Sequence, residues 1–154
     1  MGIYFLDSSA IAKRYVPEQG RSWILTLCDP AQGHELYLSQ ATLVEVVAAM
    51  CRRAREQSIT ITDRDRLINI FRHDCQNSYN ILLITDSICT FAGDLCRSYN
   101  LRAYDAVQLA CALRLHEEAL ATQSTVPIFV SADIKLINFA AAEGMGADDP
   151  NNHL

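Results

Sequence analysis

No apolar run in the 154-residue chain approaches the length of a membrane span, which excludes a helical membrane protein. The stretch from Met1 to Tyr15 has no basic leader, and Asp7 interrupts its single apolar run, so neither a signal peptide nor a membrane anchor is expected. Six cysteines are present (28, 51, 75, 89, 96 and 111), but none forms a Cys-x-x-Cys pair and most fall within apolar helical patterns. Reduced thiols and a cytoplasmic setting follow. The four histidines (34, 73, 116 and 153) lie far apart, without His-x-x-x-His or His-Glu-x-x-His spacing, which argues against structural zinc and zincin chemistry. Glycine is too sparse for a phosphate-cradling loop, and no dinucleotide fingerprint follows the first strand. No Ser-His-Asp or Cys-His nucleophile arrangement can be assigned. Aromatic residues are few and dispersed, so no base-stacking surface is visible. A net charge of −5 argues against tight non-specific nucleic-acid binding through a broad basic face, though not against a nucleic-acid substrate.

What the chain does have is ordinary globular composition and a length that suits one core. Short apolar runs alternate with helical patterns, the sign of an α/β fold with a parallel sheet under helices. Ile3 to Leu6 reads as the first strand, followed by a helix capped by Ser8 or Ser9 and running through Tyr15. A short helix spans Arg21 to Cys28, and Glu35 to Leu38 reads as the second strand. Gln40 to Gln57 forms a long, largely buried helix with Leu43, Val44, Val46, Val47 and Met50 as its apolar side. Thr62 caps a helix that ends near Tyr79, with Leu67, Ile68, Ile70 and Phe71 facing inward. Ile81 to Ile84 is the third strand, Asp86 or Ser87 caps a helix to Tyr99, and Asp105 to Glu118 is the next helix. Pro127 to Val130 is the fourth strand, and a final helix from Ala132 to Glu143 stops at Gly144. Residues 1–147 are expected to form a single domain, and 148–154 a polar, frayed tail.

Several acids stand out on this sketch. Ligands of open parallel sheets bind beyond the carboxyl ends of the strands, and Asp7, Asp86 and Asp133 all follow strands. An aspartate there can equally be a helix cap. Glu45 interrupts Leu43-Val44-Glu45-Val46-Val47, where a carboxylate needs a partner, and its helical strip carries Ala41, Ala48, Ala49 and Arg52. An exposed pair with Arg52 is the plainer alternative. Asp105 opens a helix whose next two turns are almost entirely apolar or small, so its carboxylate calls for a cation or a helix-dipole role.

The segments Leu6-Asp7-Ser8-Ser9-Ala10 with Lys13-Arg14-Tyr15, Ser39 to Ala48 around Glu45, Leu101 to Ala112 around Tyr104-Asp105-Ala106, and Val130-Ser131-Ala132-Asp133 resemble, in this order, the acidic segments of PIN-domain nucleases. The likeness spans nearly the whole chain and is strongest to the VapC-like toxins of toxin-antitoxin systems. It implies a PIN-like three-layer domain, with a central, mostly parallel sheet of four to five strands flanked by helices. It also implies that Asp7, Glu45, Asp105 and Asp133 gather at one edge and that Asp86 is left to capping. In such a site Asp7 and Asp105 would bind Mg²⁺ directly, Glu45 and Asp133 directly or through water, with Mn²⁺ as a substitute and one or two ions in place. Ser9 and Ser131 match positions that support the site by hydrogen bonds, although both could be plain helix caps. Hard oxygen donors suit Mg²⁺, and two ions would offset most of the net charge of −5. The implied activity is hydrolysis of RNA phosphodiester bonds by activated water, leaving 5′-phosphate and 3′-hydroxyl ends, on RNA such as tRNA or rRNA. A cognate antitoxin and a homodimer are the implied partners. An antitoxin arginine held against the acids would pair with them and displace metal. Residues 144–150 match the family's closing strand poorly, so a short or missing edge is expected, and the helix ending near Tyr79 is long for a compact toxin.

Lys13, Arg14, Arg52 and Arg102, with Arg53 and Arg55, are candidate phosphate contacts, although Arg52-Arg53-Ala54-Arg55 also suits a helix C-terminus. Trp23, Ile24 and Leu27 form either a docking patch for an antitoxin or second protomer, or ordinary core. Two rival readings compete. One is a phosphoacceptor domain using Asp7 and Asp86, which lacks the expected acidic pair and leaves Glu45 unexplained; an aspartyl phosphatase fails for want of Asp-x-Asp. The other is a catalytically silent PIN-like binding domain.

Overall fold

The computed structural model describes residues 1–154. Its centre is a parallel sheet of β1 (Ile3–Leu6), β2 (Glu35–Ser39), β3 (Asn80–Leu82), β4 (Ile128–Val130) and β5 (Ala147–Asp148), in the order β3-β2-β1-β4-β5. Parallel neighbours need crossovers, and helices supply them. α1 (Ser8–Ile11) and α2 (Arg21–Leu27) join β1 to β2, while α3 (Thr42–Arg55) and α4 (Ile61–Asn77) join β2 to β3. α5 (Asp86–Ser98) and α6 (Ala103–Ala121) precede β4, and α7 (Ile134–Ala142) precedes β5. The chain builds outward from β1 through β2 to β3, then returns to add β4 and β5 on the other side. The direction of winding therefore reverses between β1 and β4, where a crevice opens beyond the strand ends. No helix is long and apolar enough to cross a membrane.

Alternation along the short strands divides the interior into two layers of core. Leu6, Leu36, Leu38 and Val130 point toward α1 to α4, where Ile11, Ile24, Val46, Met50 and Phe71 are buried. Phe5 and Phe129, paired in register, point the other way and stack with centroids 5.9 Å apart against Leu109, Leu113 and Leu136. Each such side chain contributes about 1.5–3 kcal/mol through burial. Truncating fully buried Phe71 to alanine would cost about 3–5 kcal/mol.

Element types agree with the sequence reading, but several caps lie elsewhere. Thr60, not Thr62, caps α4 by accepting the Asp63 N–H at 3.0 Å, and Thr85, not Asp86 or Ser87, caps α5 by accepting from Ile88 at 3.2 Å. A cap must have extended backbone while its carbonyl opens the helix, and Thr60 and Thr85 meet that condition with ψ of 163° and 169°. Asp86 occupies the exposed first turn of α5, where it complements the helix dipole. α3 is less buried than expected, since Val44 is 60% exposed, and Ile70 of α4 likewise faces outward. Gly144, with φ of +84°, terminates α7 as expected.

The chain's end departs most from expectation. β5 forms against β4, with the Ser131 N–H donating to the Asp148 carbonyl at 3.1 Å, so the closing edge is short but present. The expected frayed tail is instead a 3₁₀ turn, Pro150–Asn152, capped by the Asp149 carboxylate. His153 then stacks on Trp23 at 4.0 Å and bonds Asp148 at 2.9 Å. Part of the Trp23 patch is thus covered by the chain itself, while Ile24 and Leu27 belong to the core.

Candidate active site

Asp7 is the first residue after β1 and the N-cap of α1. Its backbone N–H donates to the Val130 carbonyl at 3.0 Å, which ties it to the end of β4. Oδ1 accepts from the Ser9 hydroxyl at 2.6 Å and the Ala10 N–H at 2.9 Å, and Oδ2 accepts from the Ser131 hydroxyl at 2.6 Å. Ser8 and Ser9 therefore do not cap this helix. Burial outweighs those donors and pushes the Asp7 carboxyl up to about 6, with the nearby Glu45 charge adding to the rise. Asp133 follows β4, caps α7 by accepting the Lys135 N–H at 2.9 Å, and donates its own N–H to Ser131 Oγ at 3.0 Å. Ser9 accepts the Ala132 N–H at 2.9 Å. The two serines thus bridge the β1 and β4 ends around Asp7.

The other acids reach this place from helices. Asp105, in the first turn of α6, is raised in pKa by burial and then by the charges of Asp133 and Glu45, with Arg102 opposing. Glu45, in the first turn of α3, is half-buried, and its Oε1 accepts from the Ser8 hydroxyl at 3.0 Å and the Gln108 amide at 2.8 Å. It forms no ion pair with Arg52, although both line one cleft with Ala48 and Ala49; its Oε1 is held instead by Ser8 and Gln108. Asp7, Glu45, Asp105 and Asp133 are electrostatic neighbours at one end of the sheet. Asp86 is not among them: it opens α5 after β3, a strand that β2 separates from β1. The intervening strand argues against the phosphoacceptor reading, which would use both acids at one place.

Two clefts flank the acids. One of about 520 Å³ is lined by Asp105, Asp133, Arg102 and Lys135; the other, about 490 Å³, by Glu45, Ser9, Arg52 and Tyr104. Among the candidate cations, Arg52 and Arg102 lie on these clefts without an acidic partner. Lys13 is buried and paired with Glu18 at 3.3 Å, and Arg53 bonds Glu18 at 2.9 Å. Arg14 donates to Tyr79 Oη at 2.6 Å and lies 3.6 Å from Asp74, so it serves the fold on the other side of α1. Lys135 escaped the sequence reading, as did Ser8, Thr42 and Gln108. Gln108 was visible in principle, as an amide inside the apolar run Val107 to Leu113.

The donor set suits a hard divalent cation, since every acid offers only carboxylate oxygen and like charges face one another with little compensation. No three His, Cys, Asp or Glu side chains of the chain are grouped closely enough to hold a metal ion together.

The PIN domain model matches residues 4–135, from β1 through the start of α7. Among solved structures, a toxin-antitoxin complex from Klebsiella pneumoniae superposes with a TM-score of 0.60 at 17% identity, covering 96% of this chain and 97% of that one. VapBC2 from Rickettsia felis, bound to a DNA fragment from its promoter, gives 0.60 at 15% identity, covering 96% and 98%. FitAcB from Neisseria gonorrhoeae gives 0.59 at 16% identity, covering 99% of each chain. No curated protein matches the sequence. At such low identity the likenesses establish shared architecture, and with the family match over most of its length the chain belongs to the PIN domain family.

Proposed function

We propose that this protein is a Mg²⁺- or Mn²⁺-dependent endoribonuclease and the toxin of a toxin-antitoxin pair. The observation that carries the reading is the gathering of Asp7, Glu45, Asp105 and Asp133 where the sheet reverses its winding, in a chain of PIN type. Asp7 and Asp105 are assigned as direct ligands. The oxygens of Asp7 are fixed by Ser9, Ala10 and Ser131; Oδ1 accepts two hydrogen bonds, whereas Oδ2 accepts only from Ser131 and keeps a lone-pair direction open. Asp105 carries no competing hydrogen bond. Glu45 and Asp133 complete the set directly or through water. A bound divalent ion supplies the positive charge that activates water and stabilises the departing oxygen. Arg52, Arg102 and Lys135 meet the flanking phosphates of RNA. The toxin assignment, with an antitoxin partner, draws support from toxin-antitoxin complexes among the structural neighbours, and the homodimer rests on the family resemblance of the sequence.

Purified protein should cut total cellular RNA at discrete positions in Mg²⁺ or Mn²⁺, leaving 5′-phosphate ends, with cleavage lost in EDTA and in Asp7→Asn and Asp105→Asn. If wild type and both variants, all folded, act identically on RNA, the assignment falls and the silent binding domain takes its place.

A further inference from the structure

Gln108 lies one turn beyond Asp105 on the same face of α6 and is almost wholly buried. Its Nε2 is 2.8 Å from Glu45 Oε1, 2.8 Å from Thr42 Oγ1 and 3.0 Å from Ser8 Oγ. The Ser8 hydroxyl in turn lies 3.0 Å from both Thr42 Oγ1 and Glu45 Oε1. One amide thereby joins α1, α3 and α6 behind the acid cluster. Its Oε1 is buried without any partner, a burial that a methionine or leucine of similar volume would avoid. Packing therefore does not account for this residue.

The orientation of the amide is informative. Rotated by half a turn, it would aim a carbonyl at the Glu45 carboxylate and leave an NH₂ group in the dry position, losing two donors where one acceptor is now lost. Glu45 therefore sets which way Gln108 points. The reverse also holds, since Gln108 and Ser8 both grip Oε1, and Oε2 is left without a protein partner on a residue that lines the cleft. We propose that Gln108 is a positioning residue that pins Oε1 of Glu45, so that this glutamate presents a single oxygen, Oε2, to the metal or its waters. The inference rests on the metal-site reading above and assigns Gln108 no contact with substrate.

The test is Mn²⁺ binding to the full chain, followed by electron paramagnetic resonance of the free ion, for wild type, Gln108→Met, Glu45→Gln and the double variant. Gln108→Met should weaken Mn²⁺ binding about tenfold, the scale expected when a ligand's supporting hydrogen bond is lost. On the Glu45→Gln background it should weaken binding no further. The exchanged pair Glu45→Gln with Gln108→Glu restores a donor-acceptor contact, and should fold while binding Mn²⁺ weakly. Circular dichroism melts identify the folded variants. Unchanged Mn²⁺ affinity in folded Gln108→Met, an equal loss on both backgrounds, or wild-type affinity in the exchanged pair would each overturn the role of Gln108 alone. Absence of Mn²⁺ binding by wild type would instead overturn the site reading and this inference with it.

Discussion

Replacing Asp7 with asparagine should stabilise the metal-free protein while abolishing cleavage. Asp7 is 3% exposed, and burial raises its carboxyl from 3.8 to about 6. Because the folded state favours the protonated form, this group's contribution is fully present below pH 3.8 and is lost as the pH rises through about 6. At about 1.4 kcal/mol per pH unit, ionisation near neutrality costs the folded state about 3 kcal/mol. Asparagine keeps the shape and an acceptor for the Ala10 N–H, and the hydroxyl of Ser131 can turn to accept from its NH₂. For a domain of this size, with about 2–4 °C per kcal/mol, Asp7→Asn should melt about 6–12 °C above wild type at pH 7.5 in EDTA. The gap should shrink steadily toward pH 4.5, and added Mg²⁺ should narrow it at pH 7.5 by stabilising only wild type. A variant that melts at or below wild type at pH 7.5, or a gap that ignores pH, would refute the claim that this carboxylate is held at a cost.

Further outcomes follow from the fold. Gly20 has φ of +82°, and a Cβ there would stand 2.5 Å from the Pro150 carbonyl oxygen, so Gly20→Ala should cost at least about 1 kcal/mol in urea denaturation. Removing residues 150–154 should expose Trp23, the sole tryptophan, and shift its fluorescence to the red. Tyr79→Phe leaves Arg14 and Tyr15 short of a partner in a mostly buried cluster and should cost about 1–3 kcal/mol, whereas Arg66→Ala, at an exposed pair, should cost under about 0.5 kcal/mol. A thiol reagent at pH 8 should label exposed Cys89 and Cys96 quickly. Cys28 and Cys75, both pushed up by burial to about 11, should react slowly until the chain unfolds.

The sheet and its helices were legible because apolar runs and helical stripes alternate cleanly; Glu45 and Asp105 stood out against apolar patterns, whereas Asp7 and Asp133 were separated from Asp86 only by the resemblance to PIN-domain nucleases. Glu45 in an apolar helix and Asp105 before one need partners that neighbouring residues do not provide. Cap positions were less legible, since Thr60 and Thr62, or Thr85 and Asp86, are equivalent until the backbone dihedrals choose between them. The role of Arg14 was hidden because Tyr79 and Asp74 lie more than fifty residues away. The tail looked disordered from its polarity, yet Trp23 offers His153 a flat apolar surface that only the folded chain brings near. Gln108 went unread for a related reason: Ser8 and Thr42, which give its amide a purpose, come from two other helices.

The Ser131 hydroxyl that holds Asp7 comes from a residue 124 positions further along the chain, and the backbone of Ser131 is itself secured by Asp148. During synthesis, every residue up to Val130 can leave the ribosome while Asp7 still lacks its Ser131 support and the Asp133 acid has yet to arrive. The acid cluster is thus assembled from the ends of β1 and β4, with Glu45 and Asp105 supplied by the helices between them. A partly made chain, still tethered to its own messenger, carries the earlier acids but not the complete set.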